Sequence, residues 1–230
     1  MSGEEHAGHR QRLDDKSNLV GFEFMEEHEQ LEKILFGVIP RGNTNLIAHR
    51  LLEQCGSIYG VLTAEVEELT KVEGVGNRAA QFLHDLCPIL GCVERCMLRE
   101  SQHKHYVDLS TAEAMGKYAK TLFYGKLNEV FYMISLDKKM RAYRFDKISN
   151  GSADETPVYV QEVVKLALRT NAYAVVIAHN HPAASLTPSR ADLNTTVSLH
   201  RAMDAVGISL LDHIIVGGGE FISLKQMGLF

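Results

Sequence analysis

His179-Asn180-His181-Pro182, with Ser189 and Asp192 downstream, gathers side chains of the kinds that hold a metal ion and hydrolyse bonds. Two imidazoles and a carboxylate suit Zn²⁺, and three such ligands leave a fourth position for water, as a catalytic zinc requires. The run before them, Ala174-Val175-Val176-Ile177-Ala178, is short, apolar and partly β-branched, which predicts a buried strand. Side chains alternate along a strand, so His179 and His181 project from one face. Thr187-Pro188-Ser189 has the form of a helix start, with Thr as the cap and Pro at the first helical position. On that helix Ser189 and Asp192 are three apart and therefore neighbours. The two histidines and Asp192 can then converge on one Zn²⁺.

Plainer readings exist for each piece. His-x-His alone is a weak signal, and Ser189-x-x-Asp192 also fits a capping box, a purely structural device. Four polar groups at the end of an apolar strand are nevertheless costly to bury without a task, which weighs toward a metal. A hydrolytic centre also needs a carboxylate that takes a proton from water and passes it to the leaving amine. The upstream candidates are Glu129, Glu155 and Glu162. Glu162 falls inside a predicted helix, where a surface charge explains it equally well. Ser189 would hydrogen-bond the oxyanion of a tetrahedral intermediate, or simply satisfy backbone donors at the helix start. Asp212 and His213 interrupt an apolar strand and are read as a satisfied core pair, in preference to supports of the site.

The elements that must position these groups follow from periodicity. Residues 26–37, 44–54, 63–70 and 78–97 carry apolar residues at helical spacing, and Pro88 should kink or split the last of them. A polar stretch at 99–106 separates this helical region, 1–100, from a mixed region, 107–230. In the second, Ser110-Thr111-Ala112-Glu113 reads as a capping box opening a helix to about Tyr124. Residues 129–136 and 141–148 are strand-like around the turn Asp137-Lys138-Lys139. A helix over 158–169, the histidine-bearing strand, a helix over 188–205 and strands at 212–216 and 221–224 complete the chain. The fold class expected is α/β in the mixed α+β sense, a mixed sheet flanked by helices after a small all-α domain.

His179-x-His181, seven residues, Ser189, two residues and Asp192 resembles the metal motif of the JAB/MPN (JAMM) metalloproteases. The surrounding His-Asn-His-Pro and Thr-Pro-Ser, with Leu211-Asp212-His213-Ile214-Ile215-Val216-Gly217 downstream, are similar to the RadC branch of that family. The resemblance extends over most of the chain and implies a JAB/MPN-like sheet binding Zn²⁺ through His179, His181 and Asp192. It also implies Glu129, in Leu127-Asn128-Glu129-Val130-Phe131, as general acid/base and Ser189 as oxyanion support. The activity implied is hydrolysis of a peptide or isopeptide bond in a protein or peptide substrate. A small-molecule amide is an alternative substrate, and DNA repair or recombination a competing role. Two departures stand out: Gln161 replaces a usual Arg, and Ala183-Ala184-Ser185 replaces Ser-Gly-Asp after Pro182. Losing that glycine should stiffen the loop beside the metal.

With 230 residues and 45% apolar content the chain can bury a proper core. It holds no apolar run of membrane-spanning length and begins with acidic and polar residues unlike a secretory signal, so a cytoplasmic protein is expected. Cys55, Cys87, Cys92 and Cys96 form no Cys-x-x-Cys pair, and the three on one predicted helix read as buried inert thiols in preference to a disulfide or second metal site. Val72-Glu73-Gly74-Val75-Gly76-Asn77-Arg78-Ala79 resembles a helix-hairpin-helix motif, whose backbone N–H groups can hold a DNA phosphate. Charge argues the other way: residues 1–100 hold 10 Lys/Arg against 17 Asp/Glu, a net of −7, while the remainder is net +2. Affinity for DNA comes mainly from phosphate neutralisation, and an acidic domain supplies little of it. The helical region is therefore expected to bind DNA weakly or not at all. Fluorescence titration at low and high salt checks this; tight binding at physiological salt, lost steeply as salt rises, would contradict it.

Overall fold

The computed structural model describes residues 3–101, 106–150 and 156–230. It divides into two compact units, Met1–Ile89 and Leu90–Phe230, so the break lies earlier than the polar stretch at 99–106. The reason is that the last turns of one helix belong with the second unit. There Arg95 donates to the Thr121 carbonyl at 3.1 Å, the Tyr124 hydroxyl donates to Glu94 at 2.6 Å, and Leu98 packs on the sheet core.

The first unit is helical. Its elements are α1 (Gly3–Val20), α2 (Glu27–Phe36), α3 (Thr44–Cys55), α4 (Ile58–Thr63), α5 (Val66–Leu69) and the start of α6 (Asn77–Ser101). The expected helix over 63–70 is instead two, because Ala64 and Glu65 are extended and cap α4 and α5. Pro88 does not split α6. The core joins Leu31, Leu35, Ile47, Leu51, Val61, Leu69, Val75 and Leu83. Gly74 closes the hairpin at φ 97°, and a Cβ there would meet Ile47 at 2.8 Å, so two separate constraints demand glycine. α1 has little apolar face and is tied down by polar contacts. Glu32, 1% exposed, accepts from His9, Thr44 and Asn45, and Lys33 pairs with Asp14.

The second unit is a mixed sheet with helices on both faces. Its strands are β1 (Val107–Asp108), β2 (Val130–Leu136), β3 (Arg141–Asn150), β4 (Ala174–Asn180), β5 (Ser209–Gly217) and β6 (Glu220–Ser223). Their order is β1-β3-β2-β4-β5-β6; β4 and β5 run parallel and every other neighbouring pair is antiparallel. α7 (Ala112–Lys120) covers one face, where Met115, Tyr118 and Ala119 meet Tyr132, Ile134, Val176 and Ile214. α8 (Thr156–Arg169) and α9 (Arg190–Ala205) cover the other, where Val163, Ala167, Leu199 and Met203 meet Met133, Val175 and Ile177. The cap of α7 is Thr111, accepting from the Ala114 amide, so the box expected at Ser110 and Glu113 is one residue out of register.

β4 is buried along its whole length because it lies between β2 and β5 under helices on both sides. That is why its sequence is an unbroken apolar run and not an alternating one. Its odd residues, Val175 and Ile177, face α8 and α9, and the same alternation aims His179 toward α9. Among the described residues no helix is long and apolar enough to cross a membrane. Of the three cysteines on α6, Cys87 is buried, Cys96 half-buried and Cys92 exposed, against the expectation of a buried set. Ile177→Ala, at a wholly buried position next to the histidines, is expected to cost about 2–5 kcal/mol, read by denaturant unfolding.

Candidate metal centre

The histidines stand where β4 runs out. β4 ends at Asn180, and His181 stays in line because its amide donates to the Val216 carbonyl of β5 at 2.8 Å. The chain then turns sharply: the Ala184 amide donates to the His181 carbonyl at 2.9 Å. His181 Nδ1 in turn donates to the Ser185 carbonyl at 2.8 Å, which fixes the ring and points its Nε2 inward. Nε2 of His181 lies 2.9 Å from Nε2 of His179, and Asp192 Oδ1 lies 3.2 Å from the latter. The other Asp192 oxygen is 3.6 Å from His181 Nε2. Among the described residues these three form a group whose candidate ligand atoms lie within 4.8 Å of one another.

The donor set fits a divalent cation. His179 is 0% exposed and Asp192 5%, so water has little access to screen them. Burial pushes the His179 imidazole down to about 4, with the Asp192 charge opposing and His181 adding to the shift, so the ring is in its neutral, ligating form. Two neutral imidazole nitrogens and a carboxylate oxygen are the ligand types Zn²⁺ takes. A face-on stack with Phe131, centroids 5.9 Å apart and planes 11° apart, backs His179 on the sheet.

Asp192 and Ser189 are held by the start of α9. The cap is Ser189 and not Thr187, because Asp192 at the third helical position completes a reciprocal box. Ser189 Oγ accepts from the Asp192 amide at 3.1 Å, and Asp192 Oδ2 accepts from the Ser189 amide at 2.7 Å. The plainer capping role is thus real, and it also orients the carboxylate toward the histidines. Ser189 itself is exposed.

Glu129 is half-buried, immediately before β2. Its carboxyl is raised above the usual range, first by burial and then by the Asp192 charge, with His181 pulling the other way. Glu129 therefore feels the histidine–aspartate group directly. Glu162 is exposed on α8 and is not brought to the group, while Glu155 lies outside the described residues.

Three residues with a part in the site are not evident from the motif. Asn180, buried between the two histidines and facing the opposite side, clamps the segment that carries Glu129. Its Oδ1 accepts from the Val130 amide at 2.8 Å, and its Nδ2 donates to the carbonyls of Asn128 at 3.1 Å and Lys126 at 3.4 Å. His213 and Thr196 stand behind His179. His213 Nε2 is 2.8 Å from His179 Nδ1, and His213 Nδ1 is 2.6 Å from the Thr196 hydroxyl. Burial, then the nearby His179 and His181, hold the His213 ring well below its ordinary range. Asp212 and His213 are nonetheless the buried, satisfied pair the sequence suggests, since Asp212 Oδ1 accepts from the His213 amide at 2.7 Å. Asp212 also accepts from the Ser223 hydroxyl at 2.5 Å and the Lys225 amide at 3.2 Å, while the His213 ring reaches His179. A histidine inside an apolar strand was the available signal.

The loop after Pro182 shows what the departure from Ser-Gly-Asp entails. Ala184 stands where the glycine would be and adopts φ 61°, a left-handed conformation that disfavours a side chain. Gly217 and Gly218 accommodate it: a Cβ at Gly217 would come within 3.0 Å of the Ser185 carbonyl that holds His181.

Sheet, flanking helices and ligand group together define a JAB-domain protein, and a profile of the RadC-like JAB domain matches residues 109–229. The chain belongs to the RadC family, whose curated members here carry the name UPF0758. A UPF0758 protein of Rhodobacter capsulatus is 36% identical over 209 residues, 91% of this chain and 95% of that protein. One from Ruegeria pomeroyi is 34% identical over 220 residues, 96% of each, and one from Fusobacterium nucleatum 29% over 231 residues, 100% of each.

Asn180→Ala would strand the buried Val130 amide and free the Glu129 segment. A loss of about 1–3 kcal/mol is expected in thermal or denaturant unfolding, the penalty for an unsatisfied buried donor. An unchanged midpoint would show that the clamp carries no load.

Proposed function

We propose that this protein is a zinc-dependent hydrolase of peptide or isopeptide bonds. The observation that carries the reading is the convergence of His179, His181 and Asp192 beside a half-buried Glu129 whose carboxyl responds to the group. The membership of a JAB-domain family supports it. A zinc ion bound there would polarise the scissile carbonyl and make water a stronger acid.

The chain's own groups divide the remaining work. His179, His181 and Asp192 hold the ion, with Asp192 oriented by its capping box. Glu129 takes the proton of the attacking water and delivers it to the leaving amine. Its raised pKa makes the carboxylate a stronger base toward that water, and the more basic leaving amine still draws the proton from it afterwards. Ser189 accepts from the Asp192 amide through its oxygen, so its hydroxyl hydrogen can turn toward the developing oxyanion. Nothing in the helical unit is needed for this chemistry, and its acidity favours a scaffold or protein contact over DNA.

After dialysis against buffer, metal analysis is expected to find about one zinc per chain, as a single site predicts, and far less in the His179→Ala/His181→Ala double variant. Full occupancy in that variant would sink the assignment of ligands.

Glu129→Gln should retain zinc and stability, since the amide keeps the shape but cannot take a proton. Turnover of isopeptide-linked or fluorogenic peptide conjugates is expected to fall by about 10²–10⁴, the usual share of positioned acid–base catalysis. Glu162→Gln, at an exposed position, should leave turnover unchanged. The reverse pattern would reject Glu129 as the base and leave the metal site standing.

A further inference from the structure

We propose that Thr196 and His213 act as a tautomer lock that keeps the Nε2 lone pair of His179 turned into the metal group. The proposal rests on the zinc reading above, but its first test does not need the metal. Thr196 Oγ1 carries one hydrogen and lies 2.6 Å from the Asp192 main-chain carbonyl, which can only accept. That hydrogen is therefore committed. The same oxygen is 2.6 Å from His213 Nδ1, so His213 must donate there. Neither partner of the His213 ring nitrogens is an anion, and a wholly buried neutral imidazole has only one N–H to give. Its Nε2 is consequently bare and must accept across the 2.8 Å gap from His179 Nδ1. His179, now protonated on Nδ1, presents a bare Nε2 to His181 and Asp192.

Reversing the chain has a defined cost. If His213 carried its proton on Nε2, His179 would carry its own on Nε2, in the space an ion needs. Thr196 would then donate to His213 and leave the Asp192 carbonyl without its hydroxyl. The lock therefore links two proposed ligands, the ring of His179 and the backbone of Asp192, through groups outside the His-x-His…Asp motif. Partners of this kind set the orientation and basicity of a ligating imidazole. Thr196 and His213 are positioning residues, since neither belongs to the ligand group itself.

The test is a long-range ¹H–¹⁵N spectrum of the metal-free, full-length protein at mildly alkaline pH, where imidazoles are neutral, followed by zinc titration against a chelating dye. In the wild type both His179 and His213 are expected to be protonated on Nδ1. Thr196→Val removes the hydroxyl with little change of shape. It should let both rings populate the other tautomer and lower zinc affinity by about 10–100-fold, the usual effect of losing such a partner. Thr196→Ser should restore both. A wild-type His179 protonated on Nε2 overturns the lock, and so does a Thr196→Val variant with unchanged tautomers and affinity. Should the wild type take up no zinc, the metal reading falls while the metal-free spectrum still decides the lock.

Discussion

Three electron-pair donors crowded into one small space, with His179 and Asp192 buried and His181 half-buried, are the constraint on which this structure turns. His179 Nε2, His181 Nε2 and an Asp192 oxygen sit within 4.8 Å of one another at the buried end of the central strand. Isolated polar groups in such a place cost several kcal/mol, on the order of 2–7 each when nothing compensates them. A shared cation would repay that cost in one step, because all three groups could bind it at once. The hydrogen bonds of the two imidazole Nδ1 atoms, to Ser185 and His213, lie on the far sides of the rings and turn both Nε2 atoms toward each other and Asp192.

The scaffold serves that crowding. β4 reaches the site through an apolar run sealed by β2 and β5, which is what lets its last residues be buried and aimed at once. Alternation then divides the labour: His179 and His181 face α9, while Asn180 faces the other way and pins the Glu129 segment. The sharp turn beyond His181 is held at Ala184 in a left-handed conformation, at a cost on the order of 1–2 kcal/mol for a residue with a Cβ. The glycines at 217 and 218 make room for it. Strain of this sort persists only where the surroundings over-determine it, and here they hold the carbonyl that orients His181.

Much of this was legible in the sequence. The apolar run before His179, the two-residue spacing of the histidines and the three-residue spacing of Ser189 and Asp192 already describe a strand and a helix meeting at one point. What local pattern could not resolve was which of Thr187 and Ser189 caps α9; both are good caps, and the reciprocal bonds with Asp192 decide it. α1 escaped notice because its packing rests on ion pairs and the buried Glu32 more than on an apolar stripe, and β1 is too short to show a period. His213 was visible as an oddity in an apolar strand, but its partner lies 34 residues away across a parallel pairing that no local window contains. Asn180 was hidden by its own neighbours, since a residue between two ligands draws no attention until its opposite face is seen.

The central claim is that His179, His181 and Asp192 jointly hold one zinc ion. X-ray absorption at the zinc edge of the loaded protein reads that coordination sphere directly. The account predicts imidazole scattering from two histidines, with nitrogen at about 2.0–2.1 Å and oxygen at about 2.0–2.2 Å. It also predicts loss of one imidazole contribution in His181→Ala. A sulfur shell at about 2.3 Å, placing the metal on the cysteines, or a spectrum unchanged in that variant would contradict it.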